Sequence, residues 1–168
     1  MTTDLSPLNL LIIDDNAQMR TIVGTVLAGA GVRKLHYAPD GRKGLESLAR
    51  VRPDVVFVDY EMPRMNGLEF LKALRYSPGE ERFTPVIMLT GHSDMPRLNA
   101  ARDLGVNEFL TKPVTAKTIL QRLAAVIFRP RPFVNYPSYF GPDRRRRSSD
   151  TYAGPYRRAS DRSDALEI

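Results

Sequence analysis

Five side chains suited to handling charged oxygen stand at the ends of short apolar runs. Asp14 and Asp15 follow LNLLII, Asp59 closes DVVFVD, Thr90 closes PVIMLT, and Lys112 comes directly after NEFLT. Taken singly each has an ordinary explanation, since an acid after a strand commonly caps the next helix. Gathered in one place they make a different object. Three carboxylates in one crevice repel one another and raise their own pKa values unless a cation sits among them. A hard divalent ion that takes oxygen ligands and keeps several waters meets that demand, so magnesium is the expected metal.

The elements that would position these groups are legible from periodicity. The runs at 8–13, 34–38, 54–59, 85–90 and 107–111 are rich in Val, Ile and Leu and too short for helices, so they read as buried strands. Between them lie segments with helical spacing. Met19, Ile22, Val23, Val26 and Leu27 form one face of 17–29; Leu45, Leu48 and Ala49 do so for 41–50; Leu68, Phe70, Leu71 and Leu74 for 67–75. Leu98, Ala101 and Leu104 serve 95–104, and Ile119, Leu120, Leu123, Val126 and Ile127 serve 115–128. Five alternations of strand and helix predict an α/β fold, a five-stranded parallel sheet with helices on both faces. Function in such sheets gathers at the carboxyl ends of the strands, where all five side chains would face one crevice.

Composition sets the remaining bounds. The chain has no cysteine, which excludes disulfides, thiolate metal sites and a cysteine nucleophile. The first residues lack a basic n-region, and Asp14 and Asp15 interrupt the early apolar run too soon for a signal peptide or membrane span, so a cytoplasmic location is expected. The net charge of +6 is uneven: residues 129–168 hold nine arginines, no lysine and five acids, with five of the 13 prolines and few aliphatic residues. Those features place a domain boundary near Phe128, with a body at 1–128 and a largely disordered tail at 129–168.

The segments IIDDN (12–16), VVFVDYEMPRMNG (55–67), PVIMLTG (85–91) and EFLTKPV (108–114) together resemble the receiver domain of bacterial two-component response regulators, CheY-like in topology. The resemblance covers roughly residues 8–128. It implies that Asp59 is the phosphoacceptor, supplied by a histidine kinase, a phosphotransfer protein or a small phosphodonor. It also implies that Asp14 and Asp15 hold magnesium with the Asp59 carboxylate and the backbone carbonyl of Glu61. Lys112 would pair with the phosphoryl oxygens and Thr90 would hydrogen-bond to them. The chemistry agrees, because a carboxylate attacking phosphorus needs the incoming charge neutralised, which a metal and a lysine provide by electrostatics. Phe109 matches the switch aromatic that swings inward when Thr90 moves; its plainer alternative is a permanently buried core phenylalanine. Pro113 is expected to carry a cis peptide bond, Gly91 to leave room for a phosphodonor, and Gly67 to serve the backbone alone. Glu61 departs from the usual pattern by adding a fourth acid, which predicts an altered phosphoryl lifetime. In such a protein the only reaction catalysed is its own phosphoryl transfer, and output passes through a partner bound to the fourth helix, fifth strand and fifth helix.

The tail carries an internal repeat. YFGPDRR (139–145) and YAGPYRR (152–158) share Tyr-x-Gly-Pro-x-Arg-Arg, and Ser-Asp elements follow at 147–150 and 158–161. No winged helix, helix-turn-helix or catalytic motif is present, so sequence-specific DNA binding is not expected. Arginine suits bidentate contact with phosphate and guanine, and its plane stacks on bases. The arrangement is similar to CheY-like proteins whose arginine-rich extensions bind cyclic di-GMP. On that resemblance Arg144, Arg145, Arg157, Arg158, Tyr139 and Asp143 are the candidate nucleotide-binding residues. The alternatives are nonspecific binding to nucleic acid or anionic membrane, docking of an acidic protein, and an inert linker.

Overall fold

The computed structural model describes residues 3–91 and 95–145, together with the backbone of 166–167. The chain runs β1 (Asn9–Ile13), α1 (Ala17–Gly29), β2 (Lys34–Ala38), α2 (Gly41–Val51), β3 (Val55–Asp59) and α3 (Gly67–Arg75). A short 3-10 turn (Glu80–Phe83) leads to β4 (Val86–Thr90), α4 (Met95–Asp103), β5 (Glu108–Thr111) and α5 (Ala116–Phe128). The five strands form one parallel sheet in the order β2-β1-β3-β4-β5, as the alternation predicts.

Because side chains alternate across a strand, the sheet divides the core in two. Leu11, Ile13, Val56 and Val58 meet Leu48 of α2, Phe70, Leu71 and Leu74 of α3 and Ala101 of α4. On the other face Leu10, Ile12, Val55 and Phe57 meet Val23 and Leu27 of α1 and Ile119, Leu123 and Val126 of α5. Two residues assigned to inner helix faces lie outside: Ile22 is 42% exposed and Ala49 is exposed. In α2 the inner face is completed by Gly44 and Ser47, both buried, in place of Ala49. A Cβ at Gly44 would come within 2.4 Å of the Ile13 side chain, so the helix approaches β1 too closely for any larger residue. The Ser47 hydroxyl is satisfied by donating to the Lys43 carbonyl at 2.8 Å.

The expectation of an unstructured tail from residue 129 does not hold as far as residue 145. Here β6 (Phe133–Tyr136) and β7 (Tyr139–Pro142) pair antiparallel, with Tyr136 opposite Tyr139 across a two-residue turn. A third short strand, β8 (Leu166–Glu167), pairs with β6. The hairpin buries a single aliphatic side chain, Val134, and relies on rings. Phe133 and Phe140 pack against Phe83 with ring centroids 5.6 and 5.3 Å apart, and the Arg82 guanidinium lies 3.7 Å from the Phe140 centroid. Edge-on ring pairs and cation–π contacts of this kind stabilise beyond the area they bury.

What lies beneath the hairpin is a buried arginine. Arg75, 2% exposed, donates from Nε to the Gly105 carbonyl, from Nη1 to the carbonyls of Arg82 and Thr84, and from Nη2 to Asn107 Oδ1, all at 2.7–2.9 Å. The Phe133 ring covers it, 4.9 Å from guanidinium carbon to centroid. Asn107 Oδ1 also accepts from Val86 N, so one side chain joins the feet of β4 and β5 to α3. From the hairpin side, Arg131 donates to the Asn107 and Asp143 carbonyls. Backbone meets backbone at Gly105 and Gly141: a Cβ on Gly141 would stand 2.6 Å from the Gly105 Cα. Gly105 also has φ +87°, which side chains rarely adopt.

Gly105→Ala is therefore expected to lower stability by about 2–3 kcal/mol in urea denaturation, through positive φ and the clash with the hairpin. Gly29→Ala, with open space around its Cβ, should stay within about 0.5 kcal/mol of the parent chain.

Candidate functional site

The parallel sheet delivers its strand ends to one rim. Asp14 follows β1 directly, its amide donating to the Ala38 carbonyl at the end of β2. It is 3% exposed, and one of its oxygens accepts from the Asn16 amide at 2.9 Å. Asn16 in turn caps α1, its Oδ1 accepting from Gln18 and Met19, which fixes the turn that carries the Asp14–Asp15 pair. Arg20 reaches back from the first turn of α1 to the Asp14 carbonyl at 2.6 Å.

Asp59 ends β3 and is 4% exposed. The turn beneath it depends on Gly67, where a Cβ would come within 2.5 Å of the Asp59 carbonyl oxygen and 3.0 Å of the Tyr60 Cα. Gly67 thus serves the backbone by permitting close approach. Asn66 before it closes a capping box with Glu69 and starts α3 at that point. Thr90 ends β4, 2% exposed, and its carbonyl accepts from the Lys112 amide at 2.8 Å. The Lys112–Pro113 peptide is cis, as expected. Lys112 directs its Nζ at Asp59 Oδ1, 2.7 Å away.

Asp14, Asp15 and Asp59 can each bring one carboxylate oxygen within 4.8 Å of the other two. Hard, convergent oxygens of this kind fit a divalent cation such as magnesium. The electrostatics show the same need. Burial, reinforced by the nearby Asp59 and Asp15 charges and opposed by the Asn16 amide and Lys112, raises the Asp14 pKa to about 6. Burial also raises that of Asp59, against the pull of Lys112.

Two features could not be read from spacing. Glu61 meets Arg97 of α4 at 2.7 Å, so the fourth acid does not face the crevice uncompensated. Arg97 also stands 5.1 Å from the Tyr60 ring. Phe109 is partly buried against the core face that holds α3 and α4. Gly91 has open space on its Cβ side.

The first tail repeat is committed elsewhere, at the opposite end of the sheet. Tyr139 is 8% exposed and donates its hydroxyl to the Pro142 carbonyl at 2.7 Å. Arg144 lies 4.2 Å over the Tyr139 ring and pairs with Asp103 at 3.1 Å. Arg145 holds Asp143 through both carboxylate oxygens. Arg157 and Arg158 lie outside the described residues. Among the described residues no helix is long and apolar enough to cross a membrane.

Comparison with known proteins agrees with this geometry. The family model described as "Response regulator receiver domain" matches residues 10–124, stopping short of the hairpin. Chemotaxis protein CheY-3 of Vibrio cholerae is 34% identical over 122 residues, 73% of this chain and 93% of its own length. Response regulator MprA of Mycolicibacterium vanbaalenii is 33% identical over 126 residues, and there the match spans only 53% of the relative. Among solved structures, CheY4 of Vibrio cholerae superposes with TM-score 0.67 at 33% identity, covering 71% of this chain and 98% of that one. A putative response regulator from Chloroflexus aurantiacus gives 0.68 at 28% identity, covering 73% and 98%.

Protonation of Asp14 competes with a cation for the same oxygens. Magnesium affinity, measured by titration calorimetry between pH 5 and 8, should be full above the Asp14 pKa of about 6 and fall as pH drops through it. The metal-free protein should show the opposite sign. A carboxyl raised from 3.8 to about 6 binds more protons folded than unfolded, so it makes the apo protein more stable as pH falls through that window.

Proposed function

We propose that this chain, which belongs to the response regulator receiver family of two-component systems, accepts a phosphoryl group on Asp59 and signals through the surface of α4, β5 and α5. Magnesium and phosphorylation are general to that family. The observation that carries the reading is the 2.7 Å approach of Lys112 Nζ to Asp59 Oδ1, in a crevice shared with Asp14 and Asp15.

In the proposed reaction an Asp59 carboxylate oxygen attacks phosphorus, and the bond from phosphorus to the donor atom breaks. An acyl phosphate forms on Asp59. The donor, a histidine kinase or phosphotransfer protein carrying phosphohistidine, or a small acyl phosphate, leaves with the bonding electron pair. Asp14, Asp15, the Asp59 carboxylate and the Glu61 backbone carbonyl would hold magnesium, which supplies charge neutralisation for the incoming oxygens. Lys112 contributes a second positive charge on the same side. Thr90, at the end of β4, would donate its hydroxyl to a phosphoryl oxygen, and Phe109 on the neighbouring strand would change rotamer with it. No separate substrate is turned over.

The cyclic di-GMP reading of the tail rests on the arginine repeat alone. Tyr139, Asp143, Arg144 and Arg145 are already engaged with one another, with Pro142 and with Asp103. Titration of cyclic di-GMP into the parent chain and into Arg157→Ala/Arg158→Ala tests it: saturable binding lost in the variant would support a second-messenger site, and no binding to the parent chain would remove it.

Label from radiolabelled acetyl phosphate should enter the parent chain only with magnesium and should not enter Asp59→Asn. Uptake by Asp59→Asn equal to the parent would overturn the assignment. Glu61→Asn should alter the decay rate of the labelled protein; equal rates would dismiss a role for the fourth acid.

A further inference from the structure

Helix α4 is lightly anchored by its own packing: Ala101 is its one buried residue. An ion pair holds it near each end. Arg97, in its first turn, pairs with Glu61, two residues beyond Asp59. Asp103, its last residue, pairs with Arg144 of the C-terminal extension. Immediately afterwards the backbone turns at Gly105, whose Cα lies against Gly141 of the hairpin and whose carbonyl takes Arg75 Nε. The next contact is Asn107, whose carbonyl accepts from Arg131 and which leads into β5 and on to Lys112. The extension therefore grips the foot of the two elements whose other ends stand at the acidic site.

We propose that the hairpin at 131–145 is an internal ligand of the α4–β5 turn, and that its docking is coupled through α4 to occupation of the acidic site. This rests on the reading of Asp59 as the phosphoacceptor. The direction follows from charge. A phosphoryl group on Asp59 places negative charge beside Glu61 and repels it, while attracting the Arg97 guanidinium. The pair that fixes the start of α4 in the unmodified chain is thereby weakened. Movement of so lightly packed a helix displaces Asp103 from Arg144 and separates the two glycine backbones, which have no side chains to follow the shift. Occupation of the site thus loosens the hairpin. The arginine run continues from Arg145 in sequence, so loosening alters the base from which the basic tail extends. Linkage makes the effect reciprocal: weakening the dock favours the occupied site.

The test uses the full chain with magnesium and beryllium fluoride, which mimics a phosphoryl group on a carboxylate. Amide hydrogen exchange is followed at 131–145 and at 108–112, with and without the analogue. Exchange should quicken at 131–145 when that at 108–112 changes. Arg144→Ala and Asp103→Asn, both surface changes away from the acidic site, should each tighten analogue binding by about two- to fivefold, the range of an exposed ion pair. The exchanged pair Asp103→Arg/Arg144→Asp should restore the parent affinity, which a merely structural effect of either single change would not do. A response at 108–112 with unchanged exchange at 131–145 and parent affinity in both single variants would overturn the coupling and leave phosphorylation standing. No response in either segment would overturn both.

Discussion

Mutual repulsion among Asp14, Asp15 and Asp59 is the constraint around which the chain is arranged. Two of the three are almost wholly buried, and their convergent oxygens suit a bound cation. The parallel sheet performs the gathering by ending β1 and β3 side by side, with β4 and β5 next in order. Local devices then hold each group at its station: the Asn16 cap for the acidic pair, Gly67 for the turn under Asp59, and β5 for Lys112. Burial above all, with the neighbouring carboxylates adding to it, raises the pKa values of Asp14 and Asp59. The lysine offsets part of that cost, a divalent cation would offset more, and two such positive charges are what the proposed phosphoryl transfer to a carboxylate requires.

The far end of the sheet answers a different requirement. Arg75 is a buried cation whose four described hydrogen-bond acceptors are all neutral. Removing any of those acceptors would leave a buried donor unsatisfied, so the feet of β4 and β5, the 3-10 turn and α3 are locked as a unit. The extension closes that unit with rings and the buried Val134, and with Gly141 where its backbone touches that of Gly105. The acidic rim at one end and the extension at the other are joined by α4 and β5, which reach both.

Most of the body could be read from the sequence because strand and helix periods alternate without interruption. All five strands fall within one residue of the positions their apolar runs give, and the crevice follows from the rule that function sits at strand carboxyl ends. Spacing misplaced Ile22 and Ala49, because periodicity marks a face without saying how wide its contact is. The hairpin escaped for a physical reason. Its core is made by Phe133 and Phe140 against Phe83, and by Gly141 against Gly105, partners distant in sequence and few in number. Composition counted the missing aliphatic residues and could not count those contacts. Two aromatic segments flanking Pro137 and Ser138 were the one local signal of a turn. The ion pairs Arg97–Glu61 and Arg144–Asp103 likewise join segments that share no pattern.

The most direct test of the central claim is to trap the modified residue chemically. Borohydride reduces an aspartyl phosphate to homoserine, and peptide mass spectrometry then reports which position was converted. After treatment with acetyl phosphate and magnesium, the account predicts homoserine at position 59 and none when magnesium is withheld. Conversion at another aspartate, with position 59 unchanged, would contradict it.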